Sequence, residues 1–198
     1  MNTKTRFVNY YSEGYMPWVH SKPDFNLVEI VESWPVHVCK TLEIGCGTGT
    51  DAIWLAKQGF NVTAIDAVEL PISQAIEQAK KEGVNCTFMV KDFFKDEIPG
   101  DPFQLIFDRG FFHSYKSNKN RKRFAEIVSD KLSKSGIWIS LAGSCDSPPR
   151  ETGPPMLSAK NIVDAVEPFF EIKLLKPSVF GSESKVPANI WVCLMKKR

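Results

Sequence analysis

Glycines stand at every second position of one short loop, Gly45, Gly47 and Gly49, directly after an apolar run that contains Leu42 and Ile44. Because glycine has no Cβ atom, such a loop can turn tightly and bring its backbone close to a ligand. Where a loop of this kind joins a strand to a helix, its backbone N–H groups can bind a nucleotide. The loop is therefore our first candidate binding site. The alternative is a turn that only connects a strand to a helix.

The spacing of this loop and the charge beside it restrict the class of ligand. A dinucleotide site typically reads Gly-x-Gly-x-x-Gly, but Thr50 stands where the third glycine would be, and Gly49 comes one residue too early. Glu43 lies shortly before the first glycine, and its negative charge opposes a pyrophosphate. The sequence therefore favours a nucleoside that carries an amino group or a sulfonium over one that carries phosphates.

A second acidic residue, Asp66, follows the next apolar run. A carboxylate at the end of a strand can accept hydrogen bonds from both hydroxyls of a ribose. Aspartate also serves turns and helix caps, and Pro71 follows closely, so a structural role for Asp66 is the alternative.

The apolar pattern that must position these residues alternates short strands with helices. Strands are predicted at residues 39–44, 61–65, 86–90, 103–107, 137–141, 169–175 and 190–195. Helices are predicted to begin near Asp24, Asp51, Pro71, Phe124 and Ser158, which leaves no helix between the last two strands. The pattern predicts an α/β, doubly wound, mostly parallel seven-stranded sheet with an antiparallel C-terminal hairpin at one edge.

Length and composition indicate one domain over residues 1–198, with a lid-like N-terminal segment (1–23) and a Rossmann-like core (24–198). We expect residues 1–23 and 143–155 to be irregular and exposed. The net charge of +2 argues against a nucleic-acid partner. No apolar run approaches the roughly 20 residues that span a membrane, and the first residues lack a secretory signal. The cysteines and histidines show no metal-ligand spacing, so we predict no metal site and a cytoplasmic location. The sequence specifies no oligomeric state.

The segment Glu43-x-Gly45-x-Gly47-x-Gly49 resembles the first motif of the class I S-adenosylmethionine-dependent methyltransferases. The resemblance covers residues 24–198 and implies S-adenosylmethionine as cofactor. It further implies that Glu43 sets the methionine end through the loop backbone, that Asp66 holds the ribose, and that Asp92 and Phe93 hold the adenine. The cofactor-binding residues are then expected to be Trp18, Glu43, Gly45, Cys46, Gly47, Gly49, Asp66, Ala67, Asp92, Phe93 and Asp108.

The stretch after the fourth strand lacks the (Asn/Asp)-Pro-Pro-(Tyr/Phe) loop that is typical of enzymes methylating nucleic-acid bases. Residues 108–113, Asp-Arg-Gly-Phe-Phe-His, together with Pro17-Trp18, resemble a narrower branch: the thiopurine, halide/thiol and tellurite-resistance small-molecule methyltransferases. The proline-rich residues 147–155 are also similar to that branch. Either Phe111 or Phe112 is expected to face the site, and Trp18 serves either as part of a lid or as a core residue.

This narrower resemblance implies a small-molecule acceptor, with a thiol or another soft nucleophile favoured because such an anion needs positioning and water exclusion more than activation. His113 is the candidate base, with a purely structural hydrogen bond as its alternative. Arg109 is a candidate for holding an anionic substrate or the cofactor carboxylate. The substrate-side residues are expected to be Tyr10, Tyr11, Arg109, Phe111, Phe112 and Arg150.

Other functions stay open at this point. The nearer alternative is a methyltransferase that acts on protein or RNA through the basic residues between Lys116 and Arg123, which we otherwise expect to form a solvated surface. A nicotinamide-dependent oxidoreductase and a non-catalytic cofactor-binding protein are the others.

Overall fold

The sheet of the computed structural model has the strand order β3-β2-β1-β4-β5-β7-β6. The structure describes residues 3–34, 36–147, 155–182 and 185–198. The first five strands along the chain, β1 to β5, pair in parallel, and β7 pairs antiparallel with both β5 and β6. The predicted fold class is confirmed. The strands are β1 (Lys40–Ile44), β2 (Asn61–Asp66), β3 (Thr87–Val90), β4 (Phe103–Arg109), β5 (Leu132–Gly143), β6 (Phe170–Val179) and β7 (Asn189–Lys197).

Six α-helices are assigned within the described residues, and side chains cap several of them. The Asp24 side chain accepts a hydrogen bond from the Asn26 N–H at the start of α2 (Phe25–Ser33). The Ser117 side chain accepts one from the Asn120 N–H at the start of α5 (Asn118–Lys131). Ser158 and Asn161 form a capping box at α6. The helices are α1 (Thr3–Ser12), α2 (Phe25–Ser33), α3 (Thr50–Lys57), α4 (Glu69–Lys81), α5 (Asn118–Lys131) and α6 (Ala159–Val166).

The core forms two apolar layers because successive side chains of a strand point to opposite faces of the sheet. In β4, Ile106 belongs to one layer while its neighbours Leu105 and Phe107 belong to the other. In β5, Trp138 and Ile139 divide in the same way. The sheet is thus covered on both faces, and its carboxyl edge is left to the connecting loops.

The structure corrects three expectations about individual elements. Residues 3–12 form helix α1 rather than an irregular segment, because Phe7, Tyr10 and Tyr11 share one face. The fifth strand begins at Leu132, immediately after α5, and ends at Gly143, so it is longer than the predicted residues 137–141. Arg121 is buried and donates to the carbonyls of Tyr115 and Lys116, so it does not belong to a solvated basic surface.

Two searches of the described residues gave negative results. No helix within the described ranges is long and apolar enough to cross a membrane. Nor do the described histidine, cysteine, aspartate and glutamate side chains include a group of three that could hold a metal ion.

Candidate functional site

The glycine loop (residues 45–49) joins β1 to α3 and has left-handed backbone at each glycine, with φ of 71° at Gly45, 53° at Gly47 and 79° at Gly49. The N–H groups of Gly45 and Cys46 donate to the carbonyl of Ile65 at 2.8 and 3.0 Å, which fixes the loop to β2. A Cβ atom on Gly49 would lie 2.8 Å from the Cβ of Ala75. The loop conformation therefore depends on glycine for backbone freedom and for space.

Asp66 lies at the end of β2 and contacts the loop. Its Oδ2 accepts from the N–H of Gly47 at 3.1 Å, and its Oδ1 accepts from the N–H of Val68 at 3.0 Å. Burial raises the pKa of this carboxyl, and the backbone donors oppose that rise. The parallel register brings Asp66 to the same sheet edge as the glycines, as the sequence predicted.

Glu43 lies behind the loop with 2% of its surface exposed, and its Oε2 has no hydrogen-bond partner among the described residues. Burial, followed by the nearby Asp51 carboxyl, raises the pKa of Glu43. An unsatisfied buried carboxylate oxygen is costly in a folded protein and calls for an explanation. A cationic ligand bound over the loop would interact favourably with this acidic side chain. The position of Glu43 is therefore compatible with S-adenosylmethionine, the cofactor that the sequence implied.

The N-terminal segment (residues 3–23) lies over the glycine loop. The hydroxyl oxygen of Tyr11 is 3.1 Å from the place where a Cβ of Gly47 would stand, and the indole Nε1 of Trp18 donates to this hydroxyl at 3.1 Å. Tyr10 packs beside them, with its ring centroid 5.8 Å from that of Trp18. The structure thus brings Tyr11 and Trp18 to the loop and places Tyr10 one layer behind.

An open groove of about 590 Å³ continues from this point between α1 and the end of β2. Tyr11, Ala67, Val68, Leu70 and Val90 contribute to its lining. The groove begins next to Asp66, is apolar at Leu70 and Val90, and also has polar lining from Ser12, Glu69 and Ser73. Ala67 lines this groove, and its predicted contact with a cofactor stays a prediction.

Asp108 has a different environment from the one expected. Its Oδ1 accepts from the N–H groups of Phe111 and Phe112 at 3.1 and 2.9 Å, and its Oδ2 accepts from the Nε1 of Trp138 at 2.9 Å. The side chain is fully buried, and burial raises its pKa to about 6. Asp108 holds the turn after β4 and does not point toward a cofactor, because both of its oxygens are directed into the protein.

The two phenylalanines that follow divide clearly between site and core. Phe112 is fully buried, with its ring centroid 5.4 Å from that of Trp138, so it cannot contact a substrate. Phe111 lies against the glycine loop, with its Cδ2 2.6 Å from the position of a Cβ on Gly45. Of the two phenylalanines, Phe111 is the one that contacts the glycine loop.

His113 is 5% exposed, and its Nδ1 accepts a hydrogen bond from the N–H of Gly143. Its ring also contacts Gly110, since a Cβ there would lie 3.3 Å from Nε2. The ring therefore joins the turns after β4 and β5, which favours the structural role over that of a base.

Arg109 is also placed differently from its predicted role. Its guanidinium donates to the side chain of Asp24 and to the carbonyls of Trp18 and Gly181. All three partners belong to the protein, so Arg109 is not directed toward an anionic substrate.

The adenine-side residues show a self-contained turn. The Asp92 carboxylate accepts from the N–H of Phe94 at 3.1 Å and pairs with Lys95 at 2.8 Å. Phe93 is buried, and its ring centroid lies 6.2 Å from that of Phe111. Arg150 lies outside the described residues, as does most of the proline-rich stretch around it.

Cys46, in the middle of the loop, is 8% exposed, and burial raises the pKa of its thiol well above the ordinary range. Its sulfur is turned into the apolar layer under α3, and its backbone N–H makes the bond to β2 described above. The sulfur of Cys46 is therefore directed away from a ligand over the loop.

Sequence reasoning missed three residues that connect this site to its cover. Asp24, Asp51 and Gly181 form a hydrogen-bonded group beside Arg109. The sequence does carry a signal for Asp51, because it is an acidic residue in the first turn of the helix that follows the glycine loop. The structure shows that its side chain is buried. No local signal marks Gly181, which lies 157 residues from its partner Asp24.

Comparison with known proteins agrees with this geometry. A family model described as a methyltransferase domain matches residues 41–136, from β1 into β5. An uncharacterized methyltransferase of Schizosaccharomyces pombe is 31% identical over 99 residues, which cover 50% of this chain and 68% of the relative. The chain belongs to the methyltransferase family.

This methyltransferase is also similar to two proteins whose names are more specific. A probable thiol methyltransferase of Arabidopsis thaliana is 28% identical over 144 residues, 72% of this chain, and the chain spans 62% of that relative's length. A 1,6-didemethyltoxoflavin-N1-methyltransferase of Burkholderia thailandensis, solved with bound 1,6-didemethyltoxoflavin and S-adenosylhomocysteine, superposes with a TM-score of 0.78. It is 18% identical, and the match covers 98% of this chain and 86% of that one.

Proposed function

We propose that this methyltransferase transfers the methyl group of S-adenosylmethionine to a small molecule, at a thiol or another soft nucleophile. The observation that carries the proposal is the glycine loop between two acidic side chains, Glu43, whose Oε2 has no partner, and Asp66. Tyr11 lies over this loop and is held there by Trp18. The loop and the carboxylates suit a cationic nucleoside, and the aromatic cover suits a small acceptor.

The chain's own residues would divide the work of holding the donor. When bound, S-adenosylmethionine supplies an activated methyl group that a nucleophile takes by in-line displacement. Asp66 would accept hydrogen bonds from the ribose hydroxyls, and the groove beside Ala67 and Val90 would hold the base. Glu43 would orient the methionine end. Each of these contacts fixes the methyl group in one direction, which is the main requirement of such a displacement.

The acceptor side has an apolar character that supports a soft nucleophile. Phe111 and Tyr11 lie against the loop, while Arg109 and His113 are engaged with the protein itself. Removing water from an anionic nucleophile such as a thiolate raises its reactivity toward a sulfonium, whose positive charge disappears in the reaction. A thiolate therefore needs no residue to act as base once it is bound. The similarity to a probable thiol methyltransferase supports the same acceptor.

The cover over the loop also separates this proposal from a protein or RNA substrate. A macromolecular acceptor needs an open cleft, whereas Tyr11 is only 5% exposed where it meets Gly47. The basic stretch from Lys116 into the first turns of α5 offers less to an RNA partner than its sequence implies, since Arg121 is turned inward.

Calorimetric titration with S-adenosylhomocysteine and, separately, with NADH tests the donor. We expect binding of S-adenosylhomocysteine alone, and binding of NADH alone or of neither compound contradicts the proposal. The acceptor is then tested by incubating the protein with S-adenosylmethionine and thiophenol, phenol or iodide, and measuring S-adenosylhomocysteine formed. Faster turnover with thiophenol than with phenol is expected. Preference for phenol would move the acceptor from sulfur to oxygen and leave the donor assignment intact.

A further inference from the structure

Arg109 stands at the end of β4 and contacts three separate parts of the chain. Its Nε lies 2.8 Å from Oδ2 of Asp24, its Nη1 donates to the carbonyl of Trp18 at 3.1 Å, and its Nη2 donates to the carbonyl of Gly181 at 2.7 Å. The guanidinium also lies over the ring of Phe180, 4.7 Å from its centroid. A planar guanidinium is the one side chain that can donate in these three directions at once.

The contacts of Arg109 close into a ring. The N–H of Gly181 donates to the same Oδ2 of Asp24 at 2.9 Å. Asp24 is fully buried and the side chain of Arg109 is 10% exposed, so their ion pair is shielded from water. In such surroundings a charge that loses its partner is strongly unfavourable, which makes the arrangement all-or-none.

A second set of contacts leads from Arg109 to the glycine loop. Arg109 holds the carbonyl of Trp18, the indole of Trp18 donates to the hydroxyl of Tyr11, and that hydroxyl lies over Gly47. The end of β4 is thereby connected to the surface of the candidate donor site through two aromatic residues of the N-terminal segment.

The same segment is fixed to the first turn of α3. The N–H of Asp24 donates to Oδ1 of Asp51 at 2.8 Å, and Nε2 of His20 lies 3.5 Å from Oδ2 of Asp51. The hydroxyl of Thr50 donates to the carbonyl of His20 at 2.9 Å. The segment is thus held from both sides of the loop, and Arg109 supplies the side next to the acceptor.

We propose that Arg109 is a positioning residue for methyl transfer, which holds the N-terminal segment closed over the glycine loop through Asp24, Trp18 and Tyr11. This role in catalysis rests on the proposed function, in which the glycine loop binds the methyl donor. Whether Arg109 holds the segment against the loop can be measured without any ligand. In this role Arg109 touches neither donor nor acceptor. It fixes the residues that exclude water from them.

The first test compares a neutralised pair with a matched control. The double variant Asp24→Asn/Arg109→Gln removes both charges of the ion pair, so neither partner is left charged without the other. Glu43 and Asp51, whose pKa the charge of Arg109 lowers, lose that cation in the variant. The control Arg198→Gln also removes an arginine that bonds one carboxylate and one backbone carbonyl, those of Glu167. Deuterium exchange of a peptide covering residues 7–18 is measured in both ligand-free proteins, with a peptide from α5 as internal reference.

Exchange in residues 7–18 should rise roughly 10-fold or more in the double variant and stay within about 2-fold in the control, since loss of a closing interaction near 1.4 kcal/mol changes an opening equilibrium tenfold. Equal exchange in the double variant and the wild type would overturn the proposal. So would a uniform rise that includes the α5 peptide, because that is general destabilisation.

The second test uses variants that keep their aromatic rings. Trp18→Phe removes the indole N–H that reaches Tyr11, and Trp191→Phe removes a comparable N–H bond to the carbonyl of Leu157 at 2.9 Å. Trp18→Phe should weaken S-adenosylhomocysteine binding roughly 3- to 10-fold, and Trp191→Phe by less than about 2-fold, with similar thermal midpoints. Equal affinity in both variants would overturn the connection through Trp18.

The two proposals fail in different ways. If the wild type binds no S-adenosylhomocysteine, the proposed donor is wrong, while the exchange experiment still reports on closure. If the ligand binds and exchange is unchanged in the double variant, the donor assignment stands and the role of Arg109 is wrong.

Discussion

The glycine loop and the segment that covers it are built in opposite ways. The loop is fixed by bonds between neighbouring parallel strands, such as those from Gly45 and Cys46 to Ile65. The N-terminal segment is held by side chains from distant parts of the sequence, among them Arg109 and Asp51. The position of the glycine loop therefore follows from the pairing of the strands, whereas the position of the N-terminal segment depends on individual side-chain contacts. The difference suggests that donor binding is set mainly by backbone conformation and closure mainly by a few side chains.

Of the substitutions that distinguish the glycine loop from the segment that covers it, Gly49→Ala is expected to have the largest effect, on the free energy of unfolding. Ala at this position would need a φ of 79° and would place its Cβ 2.8 Å from Ala75 and Phe88. Gly83→Ala is the matched control, since its φ of 66° is similar but no atom lies within 4 Å of the new Cβ. We expect Gly49→Ala to lose about 3 kcal/mol of unfolding free energy and Gly83→Ala about 1 kcal/mol, measured by urea denaturation. Equal losses would mean that space at Gly49 is unimportant.

A smaller effect is expected on the donor contact at Asp66. Asp66→Ala should weaken S-adenosylhomocysteine binding by about 1.5–3 kcal/mol, the scale of hydrogen bonds to a charged group. Asp164→Ala is the control, because that carboxylate only pairs with Lys160 on the surface of α6. Calorimetry on the two variants decides the matter. Unchanged affinity at Asp66 would show that the ribose is held elsewhere.

The smallest of the three effects is expected in the covering segment. Trp18→Ala removes a half-buried side chain, so it should reduce turnover roughly tenfold, about 1.4 kcal/mol, while changing the unfolding free energy by less than that. Turnover with thiophenol and thermal unfolding are measured on the same preparation, with Trp191→Ala alongside. A large loss of stability with normal specific activity would make Trp18 a core residue and remove the contrast between the two halves.

The half of the site built by the sheet could be predicted from the sequence, because its signals are local. The glycine spacing, Glu43 and the strand end at Asp66 all lie within a few residues of the elements that position them. Parallel pairing then brings strand ends to one edge without further information.

The covering half could not be predicted to the same degree. Arg109 and its partners Asp24 and Gly181 are 85 and 72 residues apart, and nothing near any of them marks the pairing. For the same reason the sequence could not show that Arg109 bonds to the protein itself, nor choose between Phe111 and Phe112, since burial depends on contacts that sequence spacing does not contain. Helix α1 is a different case. Its Phe7, Tyr10 and Tyr11 have helical spacing, so the sequence contained a signal for this helix although the segment was expected to be irregular.

The burial of Cys46 has a consequence for an enzyme that handles thiols. Thiol–disulfide exchange and alkylation need an accessible thiolate, whereas Cys46 is buried and burial raises the pKa of its thiol. Oxidised acceptor molecules, which are disulfides, should therefore leave the loop sulfur unmodified even as they pass beside it. Cys145 is exposed and would react first with such reagents. The fold thus protects its own sulfur at the place where it is proposed to methylate that of another molecule.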